Sequence, residues 1–228
     1  MRIRNLALAV ALIAALAGAT VARAGDIVTV PTANQLRQGE VDIAYYYLGL
    51  DFPKQMPQHV NAETIYVGLT NEIELDAHRY DIDKGPDETI WIINYKLLNE
   101  TLVTPDIVIG ARDLTEKLSK TSYYLCAAKT LNPPKVGPPI LPIVRLHLSV
   151  GTQDDSLLGE GRHEGLFGGV QVLFRMKPQI GLVALHDGTD LITGLTYKPG
   201  PAMPTIKGGT YGKHWWVGVS YTIEPLIK

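Results

Sequence analysis

The sequence predicts an all-β chain: a single antiparallel up-and-down transmembrane β-barrel of 10–12 strands. Three observations predict it. After residue 25 the chain is a succession of alternating runs of about ten residues, separated by turns rich in Gly, Pro, Asn and Asp. Within each run one face is almost free of charge in its middle, while the other mixes glycine, small polar residues and ions. A ten-residue strand is about 33 Å long and spans about 23 Å at a tilt near 45°, close to the roughly 25 Å apolar band of an outer-membrane barrel.

Residues 1–24 come first. Arg2 and Arg4 precede an apolar stretch from Leu6 to Ala17, and Ala22-Arg23-Ala24 follows it. These are the charged region, apolar core and cleavage site of a signal peptide. The stretch is short for a membrane-spanning helix. Residues 25–228 then form one exported barrel domain. Gly25, not a cysteine, stands directly after the site, which argues against a lipoprotein, and the single Cys126 rules out an intrachain disulfide. A net charge of −2 creates no field favouring nucleic acid.

The strand candidates are 39–50, 62–70, 72–81, 88–98, 104–112, 121–131, 142–152, 164–176, 179–187, 190–198 and 213–224. Eleven is odd, and bacterial single-chain barrels are normally even. Either 26–30 (DIVTV) supplies a twelfth strand, or 62–70 or 104–112 is not one. The Asp187-Gly188 pair predicts a two-residue type I′ hairpin between the runs that flank it. That pairing puts Ile180, Leu182, Ala184, Leu191, Thr193, Leu195 and Tyr197 on one face.

The two faces decide which solvent lies outside. In 142–152, Val144, Leu146, Leu148 and Val150 oppose Ile143, Arg145, His147 and Ser149. In 213–224, Trp215, Val217, Val219 and Tyr221 oppose Trp216, Gly218, Ser220 and Thr222. The mixed faces hold Gly68, Gly110, Gly169, Gly181, Gly194 and Gly218, which suit a crowded, curved interior. Their charges are sparse and of both signs. Hydrocarbon outside and ions inside is therefore expected. Tyr45, Tyr47, Tyr80, Tyr95, Tyr123, Tyr197 and Trp215 fit interfacial girdles.

The expected lumen network is Asp42, Glu72, Glu74, Asp76, Lys96, Arg112, Arg145, His147, Arg175 and Lys198. An unpaired ion in a narrow lumen costs several kcal/mol, so these groups should pair. They would form either a static polar plug or a charged pore lining. No catalytic, cofactor or metal site is expected. The six histidines lack the spacing of a metal motif, and no Gly-x-Ser-x-Gly element occurs. The acidic loop with Asp154, Asp155 and Glu160 lacks EF-hand spacing. Nothing basic adjoins Cys126 on its own face, so an apolar role fits it.

Two stretches resemble a known family. "TVPTANQLRQGEVDIAYYY" near the mature start and "EGLFGGVQVLFRMKPQIGLVALHDGTDLITGLTYKP" near the other end are similar to YjbH-type, exopolysaccharide-associated outer-membrane proteins. The likeness weakens between about 50 and 160, and His186 departs from the expected pattern before Asp-Gly. The resemblance implies an outer-membrane barrel tied to extracellular polysaccharide and brings no catalytic residues.

The function expected is therefore a non-enzymatic envelope role in the outer membrane, linked to exopolysaccharide production or export. The partners expected are outer-membrane lipid and lipopolysaccharide, the barrel-assembly machinery and polysaccharide. The alternatives are a small-solute channel and a soluble periplasmic barrel binding an apolar ligand, with an outer-membrane hydrolase behind them.

Overall fold

A computed structural model describes residues 26–27, 30–49, 59–83, 86–131, 141–152, 162–174 and 176–225. Residues 1–24, where a signal peptide is expected, lie outside the described residues, as do Arg175, Asp154, Asp155 and Glu160.

Two short strands, β1 (Asp26–Ile27) and β2 (Val30–Pro31), precede the wall. The wall consists of β3 (Val41–Gly49), β4 (His59–Gly68), β5 (Ile73–Ile82), β6 (Glu88–Leu98), β7 (Asp106–Arg112), β8 (Ser122–Thr130), β9 (Ile143–Thr152), β10 (Glu164–Phe174), β11 (Gln179–His186), β12 (Leu191–Lys198), β13 (Thr205–Tyr211) and β14 (His214–Ile223). Each pairs antiparallel with its sequence neighbour, and β14 pairs with β3 from Trp215↔Gly49 to Ile223↔Val41. The result is a closed twelve-stranded barrel. Both ends of the wall sequence, at Val41 and Ile223, lie at one end of the cylinder, called here the terminal end. The other is the loop end.

The twelfth strand is not the expected one. The runs at 62–70 and 104–112 are both strands, and 26–30 stays out of the wall as part of the self-paired β1–β2 ribbon. The added strand is β13, "TIKGGTY". Its outward positions are Ile206, Gly208 and Thr210, so it has little of the apolar alternation that marks the other strands. Its neighbours' ladders, Ile206↔Tyr197 on one side and Ile206↔Val219 on the other, hold it in place.

The 180–198 hairpin also differs in its turn. His186 pairs with Leu191, so the connection is four residues long rather than two. The Asp187 side chain accepts the N–H groups of Thr189 (2.9 Å) and Asp190 (2.7 Å), which draws two more residues into the turn. A shift of two residues preserves the side-chain faces. Ile180, Leu182 and Ala184 therefore still share a face with Tyr197, Leu195 and Thr193.

Burial alternates along the strands with period two. Leu146, Leu148, Val150, Val217 and Val219 are 38–62% exposed on the outside. Glu74, Asp76 and Asp42 are fully buried inside. Tyr123 and Trp215 stand exposed near the loop end, and Tyr95 and Tyr197 near the terminal end. Tyr80 does not join them: it faces inward and is 1% exposed, because it shares the face of Glu74, Asp76 and His78.

Large inward rings are accommodated by inward glycines on the next strand or the next but one. A Cβ built on Gly110 would lie 2.4 Å from the Tyr124 ring, one on Gly194 2.6 Å from Trp216, and one on Gly218 2.4 Å from Tyr46. The ring occupies the volume that a side chain would need.

Substituting Gly194 or Gly218 by Val should therefore overpack the lumen at a cost of about 1–3 kcal/mol. The expected outcome is a lower urea midpoint for the folded barrel in detergent. An unchanged midpoint would mean that Trp216 and Tyr46 do not lie over these glycines.

Candidate functional site

The lumen is the candidate site, and its contents depend on height. At the terminal end, Arg145 on β9 is the centre of an ion network. Its guanidinium donates to Glu100 (2.6 Å), to Asp106 on β7 (2.6 Å) and to Thr130 on β8 (3.0 Å). Lys96 on β6 lies 4.0 Å from Asp106, and Lys129 lies 3.6 Å from Glu100. Glu100 sits in the connection between β6 and β7. Burial alone would raise its carboxyl, but bonds from Thr130 and Arg145 outweigh that and hold it below its ordinary value.

Across the lumen, Glu74 and Asp76 on β5 share Asn94, whose amide donates to both at 3.2 and 3.0 Å. The Tyr124 hydroxyl donates to the Asn94 oxygen at 2.6 Å. Asp42 on β3 accepts from Thr222 at 3.1 Å, and Lys207 donates to the Tyr46 hydroxyl at 3.0 Å.

A chain segment lies between these two walls. Before β3, residues 30–37 enter the barrel, and Val30, Ala33 and Leu36 are buried. The Leu36 N–H donates to Glu74 Oε2 at 2.7 Å, and Arg145 Nε donates to Asn34 Oδ1 at 2.9 Å. Gly39, with φ +80°, turns the chain from the lumen into the wall. The turn is held where Gly39 N–H donates to the Gly68 carbonyl and Gly68 N–H donates to the Glu40 carbonyl. Gly68 must lack a side chain, since a Cβ there would lie 2.0 Å from the Arg37 carbonyl oxygen.

At the loop end a second buried cluster bridges three connections. Arg162 donates to Asp187 (2.5 Å) and Asp190 (2.7 Å), and its guanidinium lies 4.6 Å from the centre of the Tyr211 ring. The Tyr211 hydroxyl donates to Asp187. Burial pushes the Asp187 carboxyl up, but these bonds and the Thr189 and Asp190 amides outweigh it and keep it below its ordinary value. Between the two ends lie inward apolar groups, among them Ile92, Val108, Cys126, Val183 and Ile192, all buried.

Nine of the ten expected lumen residues are described. Asp42, Glu74, Asp76, Arg112, His147 and Lys198 are buried on inward faces. Arg145 and Lys96 are inward and mostly covered. Arg112 donates to the Tyr80 hydroxyl at 2.6 Å, near the loop end. His147 shares Arg145's face, as expected, and is paired with Gly169. Glu72 is a correction. It lies in the turn before β5, exposed, and its carboxylate accepts from Thr70. Its parity matches Glu74, but the strand begins one residue after it. Asp106 shares the face of Gly110 and Arg112, so strand parity already marks it as inward, whereas Lys207 was legible only once β13 was registered. Asn34, Glu100 and Arg162 lie in connections without periodicity, so no sequence signal marks them. Among the described residues, no group of three or more metal-ligating side chains converges.

No family model matches the chain, and no curated protein matches it. Among solved structures, a KdgM porin in complex with disordered oligogalacturonate aligns over 81% of this chain and 98% of its own, with 12% identity and a TM-score of 0.49.

Two outcomes are expected of the site. Arg145→Ala leaves Glu100 with Lys129 and Thr130, and Asp106 with Lys96, so it should cost about 2–3 kcal/mol, less than the roughly 3–5 of a buried charge left with no partner. A urea titration at neutral pH should show this loss, with Arg145→Lys recovering only part of it. Asp187 sets an acid dependence. Because its folded-state value is depressed, its contribution is fully present above the ordinary carboxylate value of about 4 and is lost as pH falls through the lower folded value. The wild-type midpoint should therefore drop on acidification below about pH 4. Asp187→Asn should lower the midpoint at neutral pH and flatten that drop; equal acid profiles for the two proteins would contradict the assignment.

Proposed function

We propose that the chain is an outer-membrane β-barrel with an envelope role, whose lumen is closed by its own N-terminal segment. One observation carries the membrane reading. The outward face presents Leu, Val, Ile and aromatic side chains to the surroundings, while carboxylates and guanidinium groups turn inward. A barrel in water sorts its side chains the other way. A closed sheet also pairs the backbone groups along the wall, which hydrocarbon demands. Most of the few outward ions sit toward the rims. Arg79 pairs with Asp87 at 2.6 Å toward the loop end and Lys129 lies at the terminal end, while Glu63, midway along β4, is answered by Arg79 at 3.3 Å. The polar collar and the aromatic positions then bracket the apolar band. With both ends of the wall on one side, we read the terminal end as periplasmic and the loop end as extracellular.

Residues 30–37 support the closed state, because they fill the terminal half of the lumen between β5 and β9. The buried ions Glu74, Asp76, Arg145 and Arg162 bond to neighbouring side chains in structural pairs, which favours a non-enzymatic role. The resemblance to YjbH-type proteins falls partly on this inserted segment and supports an association with surface polysaccharide. The partners that fit are outer-membrane lipid, lipopolysaccharide and the barrel-assembly machinery.

Expression in a diderm host should place the protein in the outer-membrane fraction, with heat-modifiable migration on a detergent gel. Leu148→Arg on the outer face should lower barrel stability by about 2–4 kcal/mol if it sits near the bilayer midplane. A soluble, non-heat-modifiable product, with Leu148→Arg tolerated, would overturn the proposal.

A further inference from the structure

We propose that residues 30–37 form a displaceable plug, and that its withdrawal converts the closed barrel into a weakly charge-selective pore for small polar solutes. This rests on reading the chain as an outer-membrane barrel.

The plug is not part of the wall. Among the described residues, β1 and β2 pair with each other, and the barrel closes through β14 and β3 without them. The plug is attached to inward side chains of the wall through Leu36 N–H to Glu74 and Asn34 Oδ1 to Arg145. Neither wall group is stranded when the segment leaves. Glu74 keeps Asn94 at 3.2 Å, and Arg145 keeps Glu100 and Asp106, both at 2.6 Å. Withdrawal therefore exposes ions that are already paired, and water entering from the mouth solvates them further. A permanent core element would be laddered to the wall or would leave a buried charge unpaired on removal; for this segment neither holds at Glu74 or Arg145.

The hinge is also separate from the plug. The bonds between Gly39, Glu40 and Gly68 belong to the rim, where Arg37 joins them through its N–H and its carbonyl to Glu40, and they do not involve residues 30–36. The left-handed backbone at Gly39 gives the chain a pivot next to the mouth.

The uncovered wall sets the selectivity. Among the described residues of its terminal half, Asp42, Glu74, Asp76, Glu100 and Asp106 are answered by Lys96, Arg145, Lys198 and Lys207, which is close to balance. Such a balance gives a permeating ion no strong preference by sign. It suits neutral or zwitterionic solutes rather than polyanions, which require an excess of cationic side chains.

Planar-bilayer recording on the purified full chain tests this, beside a variant lacking residues 26–36 and the variant Asn34→Ala. The full chain should be mostly silent. The deletion should give sustained current steps with a potassium-to-chloride permeability ratio close to unity, and Asn34→Ala should raise the open time. In parallel, Ala33→Cys in a Cys126→Ser background should be protected from a water-soluble maleimide in the full chain and become labelled when Asn34→Ala is added. A silent Asn34→Ala variant in which the thiol introduced at position 33 stays protected would overturn the proposal, as would a strongly ion-selective pore in the deletion. Should the full chain itself lack heat-modifiable migration, the barrel reading fails first, which separates the two failures.

Discussion

The closing ladder between β14 and β3 governs everything else in this molecule. A twelve-stranded sheet left open would present unpaired N–H and C=O groups along two edges, and hydrocarbon cannot satisfy them. Pairing Trp215 with Gly49, and so on to Ile223 with Val41, removes both edges at once. Closure also fixes an inside and an outside. From that point each residue of a strand belongs to one solvent or the other, in strict alternation.

The interior then has to be filled. Small residues on the inner face would leave voids, and large ones on every strand would collide on a curved wall. The chain places aromatic rings over glycines one or two strands away, as with Tyr124 over Gly110 and Trp216 over Gly194. Ions are admitted inside with partners. Arg145 reaches three elements at once, and Arg162 ties the turn at Asp187 to Tyr211 on β13. These bonds join elements two or three strands apart around the wall, so they reinforce the cylinder along its inner surface and at its rim. Packing and charge pairing thus do in the lumen what a hydrophobic core does in a soluble domain.

The inserted segment belongs to a different order of structure. It uses the barrel as a container, without joining its ladder. Val30, Ala33 and Leu36 supply apolar bulk, while Asn34 and the Leu36 amide meet the polar wall. The same stretch carries the Pro31-Thr32-Ala33 element that lies just ahead of the first wall strand. Its role as lumen filling gives a physical reason for a short, extended, small-residue motif at that place.

Period-two alternation made the barrel and the sorting of its faces legible from sequence, because a strand sends successive side chains to opposite sides whatever its neighbours are. Leu146 and Leu148 could be placed outside, and Glu74 and Arg145 inside, on that basis alone. β13 escaped because glycines and a lone Ile206 carry no alternation, and only flanking ladders make it a strand. Glu72 was misplaced because parity does not say where a strand begins, and Tyr80 because its place near a strand end suggested a girdle although its parity is that of Glu74 and Asp76. The two-faced wall is thus written in the order of the residues, since it needs nothing beyond local backbone geometry. The strand count, the ion pairs around Arg145 and the seat of residues 30–37 are not, since they arise only when closure brings together positions as distant as Asn34 and Arg145.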